Sequence, residues 1–327
     1  MKKILINFTI PNEVAARYSN EFLLDYPKNG SFTNEELNQK LPEANGFFGL
    51  SLNKEMIDIA KKLEIASCFG AGYDAFEHKY AGEKGICIMN APNATTEPTA
   101  ELTVALLLCL SRRVLNLNNL IKKEGRCGGL SLFVSPFDGA PPPTPVHGKT
   151  LGIVGLGRIG QEVAKRATAL NMNVIYYDSQ RLNESDEKAQ RVKYLPFNEL
   201  LKTADYVTLH CAYTQENHHL MDKAQFALMK PTAYFINAGR GKLMNEEALI
   251  SALESKSLMG AAIDVFEFEP QVSPRLFEME NVLLTPHVGT CTYETRVNMA
   301  IEALDGLTAH LKGGVSPSIV NKEFLQK

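Results

Sequence analysis

The sequence predicts an α/β protein made of two doubly wound parallel-sheet units, and three observations carry that prediction. Short β-rich runs alternate with helix-length segments along most of the chain, which implies parallel pairing through helical crossovers. A stretch rich in Gly and Pro, residues 125–149, separates two such series. The chain has 327 residues, 45% of them apolar, which is more than one core usually serves and enough to fill two.

The first series contains "KILINF" from Lys3 to Phe8, "GFFGL" at 46–50, "IASCFG" at 65–70 and "ICIMNAP" at 86–92. From Glu97 to about Lys123 the pattern reads as one long helix, capped by Thr95 or Thr96 with Pro98 near its first turn. That helix would bridge to the second series, which starts at Thr150. There "TLGIVG", a helix from Arg158, "NVIYYD", "YVTLHC", "AYFINAG", a helix from Asn245, "GAAIDVF" and "NVLLTPH" give six strands for one sheet. A last helical run, Cys291 to about Leu311, would cross back and make the first unit discontinuous. The expected division is 1–97 with 289–327 against 98–288.

Composition narrows the partners. A formal charge of -3 does not suit a phosphate backbone or an anionic membrane, both of which favour a basic face, so a small molecule is expected and nucleic acid is not. Pro11, Asn12 and Glu13 stop the N-terminal apolar run short of a signal-peptide core. "LTVALLLCL" at 102–110 is too short to span a bilayer. The six cysteines, among them Cys127 and Cys211, form no CxxC pair, which fits reduced thiols and a cytoplasmic location.

"GLGRIG" places Gly155, Gly157 and Gly160 in GxGxxG spacing. Alone this is weak, since a glycine-rich turn is often only a tight corner. Here a β-like run precedes it, a helical run follows, and a second β run ends in Asp178, near the roughly 20-residue spacing of a ribose-binding acid. Gly155 would allow the turn, Gly157 would let backbone approach a pyrophosphate, and Gly160 would permit close packing of helix on sheet. The unpaired N–H groups of the helix N-terminus would face the phosphates. A carboxylate at Asp178 accepts from ribose hydroxyls and repels a 2′-phosphate, so NAD is favoured over NADP. Arg181 nearby would offset that repulsion, although a solvated loop arginine is the simpler reading.

In "LTPHVG" a proline turns the chain at the end of an apolar run and leaves His287 at the corner, where ligands collect in parallel sheets. Two other strand ends carry ionisable groups: Arg240 between glycines in "NAGRGK", and Asp264, Glu267 and Glu269 in "IDVFEFEP". An exposed arginine and a solvated acidic loop would look the same. His218 and His219 follow Asn217 in a turn, where capping or exposure explains them, and with no Cys/His cluster of zinc spacing no metal is expected.

Taken together, "SCFGAGYD", "TAELTVALLL", "GKTLGIVGLGRIG", "LHCAYTQENHHLMD", "INAGRGKLMNEEALI", "GAAIDVFEFEP" and "NVLLTPHVG" resemble the D-isomer-specific 2-hydroxyacid dehydrogenases, the glyoxylate and hydroxypyruvate reductase branch among them, over nearly the whole chain. The resemblance implies a Rossmann NAD-binding domain inserted into a flavodoxin-like substrate domain, an active site between them, and a homodimer. It implies catalytic roles for Arg240, for Glu269 rather than Glu267, and for His287. Arg240 would bind the substrate carboxylate, His287 would be the acid-base group, and Glu269 would orient it. It also implies that Ala71 and Gly72 offer backbone N–H groups to the substrate carboxylate. Arg158, Ile159, Cys211, Ala212, Ala238 and Asp264 would line the cofactor, with Asp264 accepting from the nicotinamide carboxamide.

Formate dehydrogenases of this kind carry Gln where this chain has Glu269, and phosphite dehydrogenases carry a lysine where it has Ala71. Many members have a tryptophan near Cys127, whereas this chain has none. Glyoxylate, hydroxypyruvate, pyruvate and larger 2-oxo acids stay open as substrates. The rival from another class is an NAD(H)-sensing scaffold similar to the C-terminal-binding corepressors.

Overall fold

The structure is a computed structural model that describes residues 1–125, 143–316 and 318–325. Cys127 and most of the Pro-rich insert fall outside the described residues. The chain separates into two units, Met1–Pro98 with Thr290–Lys327, and Thr99–Gly289.

The first unit holds a five-stranded sheet of β1 (Lys3–Ile6), β2 (Leu23–Asp25), β3 (Gly46–Gly49), β4 (Ile65–Cys68) and β5 (Cys87–Met89). Its order is β2-β1-β3-β4-β5 and every pair is parallel, the flavodoxin-like arrangement. Strand periodicity of two sends Ile4 and Ile6 to one face and Leu5 to the other. On the first face they meet Ala303, Leu304 and Leu307 of the helix Tyr293–Leu311; on the second, Leu5 joins Leu37, Leu41 and Ile57. The late helix therefore completes a core begun almost 300 residues earlier, because a sheet with apolar residues on both faces must be covered on both.

β2 was not expected from the sequence. It is three residues long and Leu23 is exposed, so it carries no periodic signal. The long helix also differs from expectation. It begins at Asn93, where the Glu302 carboxylate accepts from the Asn93 and Ala94 N–H groups at 3.1 and 2.9 Å. Thr95 and Thr96 lie inside it and turn their hydroxyls back onto the Pro92 carbonyl, and Pro98 sits within the helix rather than at its first turn. A distant carboxylate has replaced the local cap. The helix ends at Arg112, Arg113 takes a left-handed φ of 52°, and a second helix runs Val114–Glu124.

Among the described residues the second unit holds seven parallel strands, not six: β6 (Thr150–Val154), β7 (Asn173–Tyr177), β8 (Val192–Tyr194), β9 (Tyr206–Leu209), β10 (Tyr234–Asn237), β11 (Gly260–Ile263) and β12 (Val282–Leu284). The unexpected strand is β8, three residues on the sheet edge. The order β12-β11-β10-β9-β6-β7-β8 reverses direction between β6 and β9, the topological switch point of a Rossmann fold. Val207, Leu209, Phe235 and Ile263 fill one face, and Ile153, Tyr206, Tyr234 and Ile236 the other. No helix among the described residues is long and apolar enough to cross a membrane.

Candidate active site

The glycine-rich turn joins β6 to the helix Arg158–Ala169 beside the switch point. Gly155 has φ +94°, and a Cβ there would lie 2.4 Å from the Cys211 backbone nitrogen. At Gly160 a Cβ would lie 2.2 Å from the Gly155 carbonyl oxygen, while at Gly157 nothing stands within 4 Å. Two glycines are thus demanded by packing and the middle one borders open space. Gly157 caps the helix without a side chain, so no capping side chain fills the space beside its first turn. Such a cradle fits a pyrophosphate.

Asp178 follows β7. Its Oδ2 accepts the Leu156 N–H at 2.7 Å and its Oδ1 the Gln180 N–H at 2.9 Å, so the carboxylate is held against the glycine turn. Arg181 is an exposed loop residue, as expected, but it is paired. Its Nε and Nη2 donate to the two oxygens of Glu187 at 2.8 and 3.1 Å, and its guanidinium lies 5.1 Å from the Tyr194 ring centre.

Across the switch point, the carboxyl ends of β10, β11 and β12 carry Arg240, the 264–269 loop and His287. His287 Nδ1 lies 2.9 Å from Glu269 Oε2, and Glu269 Oε1 accepts the Phe266 N–H at 2.9 Å. The bond to Glu269 raises the His287 pKa above the ordinary imidazole value, against burial and the charge of Arg240. Burial pushes the Glu269 carboxyl up, but its bonds from His287 and Phe266 and the charges of His287 and Arg240 leave it below the usual carboxylate value. Arg240 thus acts electrostatically on both members of the pair. Its Nη1 donates to the Gly239 carbonyl at 2.9 Å.

His287 has a left-handed φ of 53°. Among the described residues, the other non-glycine positions with positive φ are Arg113, Asn171, Arg191, His219 and Lys256, and each closes or follows a helical turn, where that conformation is ordinary. His287 has no such excuse; the turn is held there by Asp264. That buried carboxylate accepts the Thr285 hydroxyl at 2.6 Å, the Val288 N–H at 2.8 Å and the Gly289 N–H at 3.1 Å, while the Asp264 carbonyl takes the His287 N–H at 2.8 Å. Holding this turn was not foreseen for Asp264. Asn237 is a second residue that sequence reasoning missed. Fully buried, it donates to the Arg240 carbonyl at 3.0 Å and accepts the Gly239 N–H at 3.1 Å, which fixes the loop that carries Arg240 and follows Ala238.

His210, at the end of β9, has its ring bonded to the Thr208 hydroxyl at 3.0 Å, and burial lowers its pKa to about 4. It is neutral near pH 7, whereas the bond to Glu269 favours the protonated form of His287. Burial pushes the neighbouring Cys211 thiol up to about 11, and the Ala212 carbonyl accepts from Asn217 at 2.8 Å. In the first unit, Ala71 follows β4. Its carbonyl accepts Asn90 Nδ2 at 2.7 Å, which fixes the plane of the Ala71–Gly72 peptide.

The expectation for His219 needs correction. It is neither a cap nor a surface residue: its Nε2 lies 2.6 Å from Oε1 of buried Glu267, and its ring stacks on His218 at 3.8 Å. Glu267 Oε2 accepts the Glu246 N–H at 2.8 Å, so this acid is not solvated either. Among the described residues, His218, His219 and Glu267 have ligand-type atoms within 4.8 Å of one another. The His219–Glu267 separation is that of a hydrogen bond, shorter than the roughly 3.3 Å between two ligands of a tetrahedral zinc.

A Gly-rich strand-to-helix turn, an acid after the next strand, and an acid-base pair at strand ends of the same sheet define a dinucleotide-binding α/β class of protein. Comparison with known proteins gives the family. The model described as "D-isomer specific 2-hydroxyacid dehydrogenase, NAD binding domain" matches residues 104–289. A Staphylococcus haemolyticus protein, provisionally named a 2-hydroxyacid dehydrogenase, is 40% identical over 98% of this chain and 100% of its own. Among solved structures, a Thermus thermophilus protein superposes with a TM-score of 0.86 at 33% identity, covering 97% of this chain and 99% of its own. A glyoxylate reductase from Paecilomyes thermophila superposes with a TM-score of 0.87 at 28% identity, covering 98% and 99%. The chain belongs to the D-isomer specific 2-hydroxyacid dehydrogenase family, an oxidoreductase family that uses a nicotinamide cofactor.

Proposed function

We propose that this protein reduces a small 2-oxo acid to the D-2-hydroxy acid with NADH, and that Arg240, Glu269 and His287 carry the reaction. The observation that carries the reading is the His287–Glu269 bond, which raises the imidazole pKa and so favours its protonated form, beside the Arg240 charge. When bound, the nicotinamide supplies the hydride for C2. Glu269 occupies Nδ1, which leaves Nε2 of His287 to give its proton to the oxygen that becomes the hydroxyl. Arg240 pairs with the substrate carboxylate through its planar fork. Gly155, Gly157, Arg158, Ile159 and Gly160 hold the pyrophosphate, with Cys211, Ala212, Ala238 and Asp264 along the rest of the cofactor. The Ala71 and Gly72 N–H groups serve a carboxylate oxygen of the substrate. The scheme needs no metal ion.

NAD rather than NADP is favoured by the carboxylate of Asp178 together with the pairing of Arg181. The glyoxylate reductase among the structural relatives puts glyoxylate first in a substrate panel, and the sequence resemblance adds hydroxypyruvate. A cytoplasmic setting is supported by the free cysteines of the described residues. A homodimer is supported by Leu115, Ile121 and Phe277, exposed apolar residues of the second unit, and sedimentation as a monomer would remove it.

The test is oxidation of NADH with 2-oxo acids from glyoxylate to phenylpyruvate, beside His287→Ala. Loss of the proton donor lowers kcat by roughly 100-fold or more. Equal turnover by the variant would reject His287. Tight NADH binding with no turnover of any acid would instead favour the NAD(H)-sensing scaffold.

A further inference from the structure

Arg181 stands three residues past the ribose acid, where a guanidinium would receive a 2′-phosphate, yet it is engaged elsewhere. Glu187, on the helix Glu184–Gln190, takes Arg181 Nε on Oε1 at 2.8 Å and Nη2 on Oε2 at 3.1 Å, a two-point pairing that fixes the guanidinium plane. The glutamate is itself fixed. It is buried, and its Oε1 also accepts the Tyr176 hydroxyl at 2.8 Å, whose oxygen takes the Leu182 N–H at 2.9 Å. Tyr194 flanks the other side of the guanidinium. An exposed ion pair with two free side chains would contribute little. Here one partner is anchored in the core and cannot follow the arginine outward.

We propose that Glu187 is a specificity-determining positioning residue, which holds Arg181 away from the nucleotide and so keeps the site selective for NAD over NADP. The proposal rests on the reading of Gly155–Gly160 and Asp178 as the dinucleotide site. Asp178 repels the 2′-phosphate, and Glu187 removes the one nearby cation in the same loop that would compensate. Two acids then act together, one on the phosphate and one on its would-be receptor. Releasing the arginine converts a neutralised ion pair into an available positive charge without altering Asp178 or the glycine turn.

The experiment is titration of the whole protein with NADH and with NADPH, followed by cofactor fluorescence, for the parent, Glu187→Gln, Arg181→Ala and the double variant. In Glu187→Gln the NADPH dissociation constant falls by roughly tenfold, the size of a charge-assisted hydrogen bond gained. NADH affinity changes by less than about twofold, because ribose and pyrophosphate contacts are untouched. Adding Arg181→Ala abolishes the gain. Turnover with NADPH shows the same change as a lower KM at unchanged kcat, which a loss of packing at Glu187 would not produce. Glu187→Ala is the second variant, should glutamine disturb the helix, since alanine favours helix. Unchanged NADPH affinity in both Glu187 variants overturns the proposal, as does a gain that survives in the double variant. A parent that binds neither nucleotide overturns the dinucleotide site beneath it, a result distinct from NADH binding with no shift in selectivity.

Discussion

At His287 two effects oppose each other. The hydrogen bond to Glu269 raises the pKa, while burial and the Arg240 charge lower it, and the bond prevails. Reduction of a 2-oxo acid consumes the imidazolium proton, so its rate is full below the raised pKa and falls as pH rises through it. Oxidation of the hydroxy acid requires the neutral ring and shows the reverse dependence. Glu269→Gln removes the charge that favours the imidazolium. The alkaline limb of the reduction profile therefore moves to lower pH, and kcat at neutral pH falls by roughly 10- to 100-fold. A limb that stays in place while kcat falls would leave Glu269 without this role. His287 was conspicuous in the sequence because a proline turns the chain beside it, but only family resemblance chose Glu269 over Glu267. The structure gives the difference a physical content: Glu269 meets His287, whereas Glu267 is committed to His219 and to the N-terminus of the helix Glu246–Glu254. No local pattern reveals a pair such as His219 and Glu267, separated by 48 positions.

At the scale of elements, loops that leave neighbouring strands assemble the candidate site by close backbone packing. A Cβ on Gly241 would lie 1.8 Å from the Phe266 carbonyl oxygen and 2.6 Å from the Glu267 nitrogen. The loop with Arg240 therefore rests directly on the loop with Glu269. Gly241→Ala forces the two apart, and a displacement on the order of 1 Å lowers kcat/KM by roughly 100-fold. NADH affinity falls by much less, since the glycine turn and Asp178 lie on other strands and only Ala238 and Asp264 adjoin the displaced loops. Kinetics and nucleotide titration of one variant check both parts; loss of both together would mean that the unit as a whole had been disturbed. The long strands of each sheet were legible from apolar runs bounded by turn residues. β2 and β8 were not, being three-residue edge strands too short to show a period. The start of the helix Asn93–Arg112 was misplaced because its cap comes from Glu302, some 200 positions away, rather than from the threonines near its start.

For the whole molecule, the two units fill separate cores, and the proposed nucleotide residues all belong to the second. Leu304 lies in the first, fully buried against Ile4, Ile6 and Phe48. Leu304→Ala costs about 2–5 kcal/mol of stability in that unit, read by urea unfolding, with the NADH dissociation constant unchanged. A weakened NADH affinity would show that the two cores are energetically coupled. The sequence by itself determined the parallel α/β class, the glycine turn with its acid, and the return of the last helix, because each is written in local periodicity or in residue types at fixed spacing. Tertiary structure alone decided the strand orders, the turn that Asp264 holds around His287, the use of His219, and the capture of Arg181 by Glu187. These depend on which buried donors and acceptors meet once strands are neighbours. A buried polar group must find a partner wherever the fold supplies one, whatever the distance along the chain.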